Sequence, residues 1–297
     1  MKDQRLFAVA IMTVGMILIP VGDALAKFIS TQSAHTPGFL AWSRFAFGVI
    51  FLLPVGLVMK VFHGRDRAFY YAQALRGFCI SMTLVFIITA VSLSPLADVF
   101  GAFFIGPVFA TILSVLLLGE RVNWLGWLCV IFGFVGVVMV VQPGLQGSTG
   151  VYFALLAGIF YGSFLTATRW AADSGPPFAQ LLAQMLFGFV FLMPFGINGI
   201  YDFSSEGLQT AGLILVMGFT SAAANLASII ALKRASAAYL APVVYLQVVA
   251  ATIISVLFFN DSINTLALAG LAVIVFTGIL KIPPSTLSSV WSRTVKR

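Results

Sequence analysis

The sequence predicts an all-α integral membrane protein in which ten transmembrane helices form two inverted repeats of five helices each. Three observations support this fold class. The chain is very apolar, its apolar runs have the length of membrane-spanning helices, and motifs of its first half recur in its second half. The lipid bilayer is therefore the first partner that we expect.

The composition is that of a polytopic membrane protein. Hydrophobic residues make up 61% of the 297 residues and charged residues only 8%, whereas a soluble domain has about 25% charged residues. The net charge of +7 does not indicate a nucleic-acid partner, because the basic residues are scattered between apolar runs. Cys79 and Cys129 lie inside apolar runs, and only two histidines occur, His35 and His63. We therefore expect no disulfide framework, no metal site and no cofactor.

Ten apolar segments are long enough to cross the bilayer as helices, which takes about 20 residues. They cover residues 6–30, 37–62, 68–92, 95–118, 123–141, 149–170, 177–200, 208–232, 237–259 and 263–282. Short connections with turn residues, such as Gln142-Pro143-Gly144, separate the segments. Consecutive helices are therefore expected to run antiparallel.

Lysine and arginine collect on one side of the predicted bundle. All but three of the 16 basic residues lie at helix ends on the side where the chain begins, or in the C-terminal tail. The connections on the opposite side carry Asp202, Glu206 and Asp261 instead. Because cytoplasmic loops are enriched in Lys and Arg, we expect both termini to be cytoplasmic, in a bacterial inner membrane.

The first segment also has an alternative interpretation as a secretory signal. Lys2 and Arg5 precede an apolar run that ends near Ala24-Leu25-Ala26, a candidate A-x-A cleavage site. Cleavage there would leave nine helices and an external N-terminus. The one-sided distribution of basic residues uses this segment as a helix, so we expect it to be the first membrane span.

The second half of the chain repeats the first. Residues 37–56 align with residues 177–196, and ATILSVLLLGERVN (110–123) aligns with ATIISVLFFNDSIN (251–264). We divide the chain into a first repeat at 1–145, a second repeat at 146–284 and a basic cytoplasmic tail at 285–297. Because each repeat has an odd number of helices, the second must enter the membrane inverted. This is the plan of secondary transporters, whose binding site lies near the midplane.

Charged residues inside the predicted helices are candidates for substrate binding or gating: Asp23, Lys27, Arg44, Arg76 and Asp98. A charge at the bilayer centre costs about 2.5–3.5 kcal/mol, so each should face a cavity or a partner. Asp23 and Arg44 both lie about 10 Å from the outer interface and are expected to pair, although a purely structural network with Lys27 is an alternative. Arg76 has no acid nearby in sequence. We expect it to face the substrate cavity and to bind a carboxylate or another anionic group.

Uncharged polar residues in the second repeat complete the candidate set: Tyr161, Gln184, Asn225, Tyr239, Tyr245 and Gln247. Gln184 occupies the position that Arg44 has in the first repeat. Each of these residues could instead form an ordinary hydrogen bond between helices. Pro20, Pro107 and Pro242 could kink their helices and free backbone carbonyls toward a cavity.

The segment GPVFATILSVLLLGERVNWLGWLCVIFGFVGVVMVVQPG (106–144) resembles the most recognisable block of the EamA family, in the drug/metabolite transporter superfamily. Further matches, which extend over essentially the whole chain, are Asp23 and Lys27, Ser43-Arg44-Phe45, Leu75-Arg76-Gly77 and Tyr245-Leu246-Gln247. The resemblance implies ten helices in two inverted repeats that carry small metabolites without ATP. The pattern is most similar to a subgroup that includes S-adenosylmethionine and riboflavin carriers, and other relatives export amino acids. The chain departs from the family at Asn260-Asp261, where Gly-Glu is usual.

These observations favour a secondary active transporter, not an enzyme, that moves a small polar or zwitterionic metabolite by alternating access. An amino acid, or a compound derived from an amino acid and a nucleoside, is the expected substrate, and a riboflavin-like vitamin is the alternative. A coupling proton or counter-substrate and a homodimer are compatible with the sequence. An intramembrane aspartyl protease using Asp23 and Asp98 is disfavoured, because Lys27 and Arg44 lie near these acids in the predicted bundle.

Overall fold

The computed structural model describes residues 2–32, 36–93, 96–142, 149–199, 208–259 and 265–280. This part of the chain is almost entirely helical and contains no β-strand. Its α-helices are α1 (Lys2–Gln32), α2 (Pro37–Val58), α3 (Arg67–Leu93), α4 (Leu96–Phe103), α5 (Gly106–Leu118), α6 (Trp124–Val141), α7 (Thr149–Trp170), α8 (Pro177–Gly196), α9 (Leu208–Arg234), α10 (Ala237–Val244), α11 (Leu246–Phe259) and α12 (Thr265–Ile279). Short 3-10 turns follow α7 and α8.

The helices match the predicted membrane spans. Within the described ranges, nine helical segments of 18 residues or more are apolar enough to cross a membrane. α4 with α5 and α10 with α11 each form one of these spans, and α12 is a shorter apolar helix of 15 residues. Predicted and observed ends differ by no more than four residues, and the ends of segment 263–282 lie outside the described residues. The predicted class, a bundle of membrane-spanning helices, is confirmed.

Side-chain caps fix where several helices begin. Thr36, Asn123 and Ser236 accept hydrogen bonds from the backbone N–H groups of Phe39, Gly126 and Tyr239 at the starts of α2, α6 and α10. Each cap satisfies an N–H that has no acceptor within its own helix. Where α5 ends, Gly119 has a φ of 64°, a left-handed conformation that glycine adopts without a Cβ clash. The turn at Gly119 therefore sets the position of the next residue, Glu120.

Two spans that the sequence predicts as continuous, 95–118 and 237–259, are interrupted in the structure. The first break lies at Phe104 and Ile105, directly before Gly106-Pro107. Proline has no N–H to bond to the preceding turn, so a new helix starts there. The second break lies at Tyr245, three residues after Pro242 and at the position equivalent to Phe104. α1, in contrast, continues through Pro20.

The packing of the helices forms a closed ring. Each helix contacts the next in the order α1, α9, α2, α8, α3, α7, the α4/α5 span and the α10/α11 span, which returns to α1. α6 and α12 pack mainly against each other, outside this ring. The interior of the ring is therefore shared by helices from both halves of the chain.

Basic residues gather at one end of the ring. Lys233 at the end of α9 lies 3.5 Å from the carbonyl oxygen of Gly175, which precedes α8. Arg5 of α1 lies over the ring of Tyr239 at 5.5 Å, and Arg234 lies over the ring of Phe7 at 4.7 Å. We call this end, where α1, α3, α6, α8 and α10 begin, the basic side.

The contacts of the two halves are related by an exchange of equivalent helices. α1 packs against α9 as α7 packs against α3, while α2 pairs with its own counterpart α8 and α6 with α12. The relation holds for single residues too. Gly77 of α3 lies against Phe187 and the backbone of Gln184, and Gly218 of α9 lies against Phe47 and the backbone of Arg44. A two-fold axis in the membrane plane produces this pattern in inverted repeats.

We expect Gly77→Ala to destabilise the protein. An added Cβ would lie 2.7 Å from the Cβ of Phe187, so α3 and α8 would have to separate, at a cost of about 1–3 kcal/mol. Gly212→Ala is the control, because nothing lies within 4 Å of a Cβ at that position of α9 and alanine favours the helix. Thermal unfolding in detergent should show a lower melting temperature for Gly77→Ala only. Equal melting temperatures would contradict the close packing of α3 on α8.

Candidate functional site

Arg76 is the centre of a fully buried polar cluster. Its side chain has no exposed area, and its Nε donates to Oγ1 of Thr168 at 3.1 Å. Nη1 donates to the side-chain oxygen of Gln73 and, at 3.4 Å, to that of Gln180, while Nη2 donates to the side-chain oxygen of Gln184. The guanidinium carbon also lies 5.9 Å from the centre of the Phe164 ring, within the range of a cation–π interaction.

Helical spacing brings the oxygen acceptors together. Gln73 precedes Arg76 by three residues on α3, and Gln180 precedes Gln184 by four residues on α8. Residues three or four apart share one face of a helix, so α8 presents both amides to α3. Thr168 comes from the last turn of α7. The cluster, which we call the Arg76 cluster, therefore consists of Gln73, Arg76, Thr168, Gln180 and Gln184.

The amide nitrogens of the same glutamines bond outward, away from Arg76. Gln180 donates to the carbonyls of Ala172 and Gly175 at 3.1 and 2.9 Å, and Gln73 donates to Oγ of Ser174 at 3.2 Å. Gln184 donates to Oδ1 of Asn225 on α9 at 2.9 Å. The Arg76 cluster thus ties the connection between α7 and α8, and also α9, to α3.

Arg76 has no carboxylate partner in the part of the chain that the structure describes. Among the described residues, the ion pairs are formed by other cations, and every acceptor around Arg76 is a neutral oxygen. Burying a cation costs several kcal/mol unless hydrogen bonds or an opposite charge compensate for it. In this conformation the glutamine side chains enclose the guanidinium, and the expectation that Arg76 faces the substrate cavity stays a prediction.

Asp23 and Arg44 form the predicted pair between α1 and α2. Nη1 of Arg44 lies 2.7 Å from Oδ1 of Asp23, and Nη2 lies 3.4 Å from the carbonyl oxygen of Gly22. The Asp23 side chain is 52% exposed, whereas that of Arg44 is 15% exposed. α1 and α2 flank α9 in the ring, and two helices that flank a third in a closed ring approach each other on its inner face. The ion pair that joins them therefore faces the interior of the ring.

The Asp23–Arg44 pair lies close to the Arg76 cluster in depth. Trp42 donates its indole N–H to the carbonyl of Phe189 at 3.2 Å, and Phe45 lies against Gly188. Arg44 is therefore level with these residues of α8. Gln184 is four to five residues nearer the basic side, a rise of roughly 7 Å. An anionic and a cationic side chain thus belong to one interior, little more than a helical turn apart in depth.

The remaining candidate residues lie in different parts of the structure. Gln184 belongs to the Arg76 cluster and bonds to Asn225, and Tyr161 is buried with its ring centre 5.4 Å from that of Phe103. Tyr239 instead lies under Arg5 at the basic side. Tyr245 packs toward α6 and α12, with Val137 and Ile274. The Tyr245 hydroxyl and the Gln247 Nε2 atom are buried without a hydrogen-bond partner among the described residues.

Two further candidates cannot be placed. Lys27 belongs to α1 and Asp98 to α4, but both side chains lie outside the described part of the chain. The alternative network with Lys27 and the alternative pairing of Asp23 with Asp98 therefore stay predictions. Asp23 bonds to a cation, whereas an aspartyl protease requires its two acids to lie side by side.

A second ion pair closes the basic side, and the sequence did not reveal it. Nε of Arg169, on α7, lies 3.1 Å from Oε1 of Glu120. Oε2 of Glu120 accepts from the N–H of Ala238 on α10 at 3.3 Å, and Nη1 of Arg169 donates to the carbonyl of Leu232 on α9 at 2.9 Å. The pair therefore fastens the end of α5 to three other helices.

A closed ring of membrane-spanning helices that holds a buried cation and an ion pair in its interior is typical of multi-pass membrane transporters. Residues 6–142 and 148–282 each match the model of the EamA-like transporter family. The chain belongs to this family, in agreement with the resemblance of residues 106–144.

Relatives of known name are similar over most of the chain. A protein of Rickettsia felis named "S-adenosylmethionine uptake transporter" is 22% identical over 91% of this chain and 87% of its own length. The protein of the same name from Rickettsia bellii is 23% identical over 91% and 88%. An "Uncharacterized transporter" of Clostridium kluyveri is 23% identical over 86% of both chains. A solved structure titled "Crystal structure of protein" superposes with a TM-score of 0.74 at 17% identity, over 98% of this chain and 99% of that one, and so shares the fold.

We expect the loss of Asp23 to be more costly than the loss of Arg44. Asp23→Asn leaves the largely buried Arg44 cation without its carboxylate, at a cost of about 1–3 kcal/mol. Arg44→Gln should cost less, because the half-exposed Asp23 stays partly solvated. The double variant should be less destabilised than the sum of the two, since it removes both charges. Melting temperatures in detergent test this cycle, and additive effects would mean that the pair contributes no coupling energy.

Proposed function

We propose that the chain is a secondary active transporter, with no enzymatic activity, for a zwitterionic metabolite derived from an amino acid. S-adenosylmethionine is the first candidate substrate, because relatives that match about nine-tenths of the chain carry the name of its uptake transporter. Transport would cross a bacterial inner membrane by alternating access. Asp23, Arg44, Arg76, Gln184 and Asn225 would line the path.

The observation that carries this proposal is the pair of opposite charges in one ring interior. Arg76 is a cation without an acidic partner among the described residues, and Asp23 is a half-exposed acid roughly one helical turn away in depth. S-adenosylmethionine carries a carboxylate, an ammonium group and a sulfonium group. Its carboxylate would complement Arg76 and its cationic groups would share Asp23 with Arg44, whereas an uncharged ring system such as a flavin would use neither charge.

Alternating access requires contacts that can close the ring on each side of the membrane. On the basic side, the Glu120–Arg169 pair and the Arg76 cluster form two layers, while the Asp23–Arg44 pair lies nearer the other side and is partly exposed. The repeats, which we place at 1–145 and 146–284, would exchange roles so that one side opens as the other closes. A proton or a counter-substrate would supply the driving force.

Uptake by proteoliposomes tests the proposed function. We expect purified protein to carry radiolabelled S-adenosylmethionine into vesicles preloaded with unlabelled compound, and excess unlabelled S-adenosylmethionine to abolish the signal. Adenosine, which lacks the amino-acid part, should compete at least tenfold more weakly. Vesicles without protein are the control for leakage. Uptake of riboflavin, with none of S-adenosylmethionine, would contradict the proposal.

The proposed orientation makes the basic side cytoplasmic. After Cys79 and Cys129 are replaced by serine, a cysteine at the exposed position 60 should resist an impermeant thiol reagent in intact cells and react in opened cells. A cysteine at position 202, which the sequence places on the other side, should react in intact cells. The reverse pattern of labelling would show that the termini are external.

A further inference from the structure

The glutamines that accept hydrogen bonds from Arg76 differ in the hydrogen bonds that their amide N–H groups donate. Gln73 and Gln180 use their amide N–H groups to fix Ser174, Ala172 and Gly175 in the connection between α7 and α8. Gln184 is different, because its amide bonds to the side chain of Asn225 on α9. Asn225 is only partly buried. α8 and α9 flank α2 in the ring, so this bond lies toward the ring interior, and Gln184 forms the edge of the Arg76 cluster nearest that interior.

The bond between Gln184 and Arg76 is one that an anion can replace. A guanidinium can bond a carboxylate through two parallel N–H groups and attracts its opposite charge, whereas the side-chain oxygen of Gln184 accepts one N–H group and carries no charge. Arg76 has no carboxylate among the described side chains. A carboxylate that enters from the interior would therefore gain more from Arg76 than Gln184 does.

We propose that Gln184 occupies the place of the substrate's carboxylate, and that the carboxylate displaces it from Arg76. This inference rests on the proposed transport of a zwitterion and names the group by which that zwitterion is held. When Gln184 is displaced, its hydrogen bond to Asn225 is distorted as well. Substrate binding thus removes a link between α3 and α8 and loosens one between α8 and α9, on the basic side.

Such a displacement couples binding to the opening of the basic side. A ligand shifts a conformational equilibrium only by the difference between its interaction energies with the two states. Here the difference arises because the substrate replaces bonds that hold the closed ring together. The empty protein keeps the cluster satisfied and stays closed, so the gradient of the coupling solute does not leak through it.

Binding of two ligands to the wild-type protein tests the recognition step. S-adenosylmethionine and its decarboxylated form share the adenosine, sulfonium and ammonium groups and differ in the carboxylate. We expect thermal-shift titrations of purified protein to give at least tenfold weaker binding for the decarboxylated compound. Equal affinities would overturn the inference and leave the proposed function standing. A protein that binds neither compound would overturn the proposed function and, with it, this inference.

Gln184→Glu tests the displacement itself. The new carboxylate would pair with Arg76, so we expect a higher melting temperature and at least tenfold weaker binding of S-adenosylmethionine. Gln4→Glu is the matched control, because it adds the same charge at an exposed position near the start of α1, and should leave binding unchanged. A stable Gln184→Glu variant that binds as the wild type does would overturn the inference.

Arg76→Lys tests the same interaction by changing the cation that is proposed to bind the carboxylate. Lysine keeps the charge but lacks the planar fork that holds a carboxylate through two bonds. We expect at least tenfold weaker binding of S-adenosylmethionine and unchanged binding of the decarboxylated form. Arg67→Lys, at the exposed start of α3, is the control. Equal losses for both ligands would assign Arg76 a structural role only.

Discussion

A single buried cation, Arg76, which has no acidic partner among the described residues, governs how the basic half of the bundle is assembled. Every N–H group of a buried guanidinium needs an acceptor, and neither lipid nor an apolar side chain offers one. α8 must therefore turn Gln180 and Gln184 toward α3, and α7 must present Thr168. The amide of Gln180 then needs acceptors of its own, which the connection before α8 provides, and the amide of Gln184 bonds to Asn225 on α9. One charge thus fixes the register of three helices and one turn.

The backbone is nearly symmetric, but the charges are not. Gly77 and Gly218 make equivalent contacts with α8 and α2. The residue before Gly77 is Arg76, whereas the residue before Gly218 is Met217, which is fully buried. In the same comparison, Gln184 of α8 takes the place of Arg44 of α2. The basic side closes through the hydrogen bonds of the Arg76 cluster and the Glu120–Arg169 pair, whereas the side nearer Asp23 has the partly exposed Asp23–Arg44 pair. The two closures therefore respond differently to a charged solute.

Much of the fold could be predicted from the sequence, because long apolar runs and recurring motifs determine the spans and the repeat. The Asp23–Arg44 pair was also predictable, since both residues lie at the same depth on neighbouring helices. The Arg76 cluster was not, because its bonds join residues 104 and 108 positions apart and involve glutamines that carry no charge. One signal in the sequence was not used. Gln73 lies three residues before Arg76, and Gln180 lies four residues before Gln184.

The sequence also could not predict which faces of the helices point into the ring. In a membrane protein, lipid-facing and buried surfaces are both apolar, so periodicity does not show which side chains point into the ring. Tyr239 and Tyr245 therefore could not be distinguished from Tyr161 by sequence. The structure places one near Arg5 and the other against α6 and α12.

The left-handed turn at Gly119 has a consequence for how the basic side opens. It directs Glu120 to the first turn of α10, while Arg169 bonds to the last carbonyls of α9. A helix carries partial positive charge at its N-terminus and partial negative charge at its C-terminus. Each member of the ion pair thus faces a helix dipole of opposite sign, and the four charges alternate. Moving any one helix away leaves its neighbour's charge unbalanced, so opening on this side should be a concerted, all-or-none step.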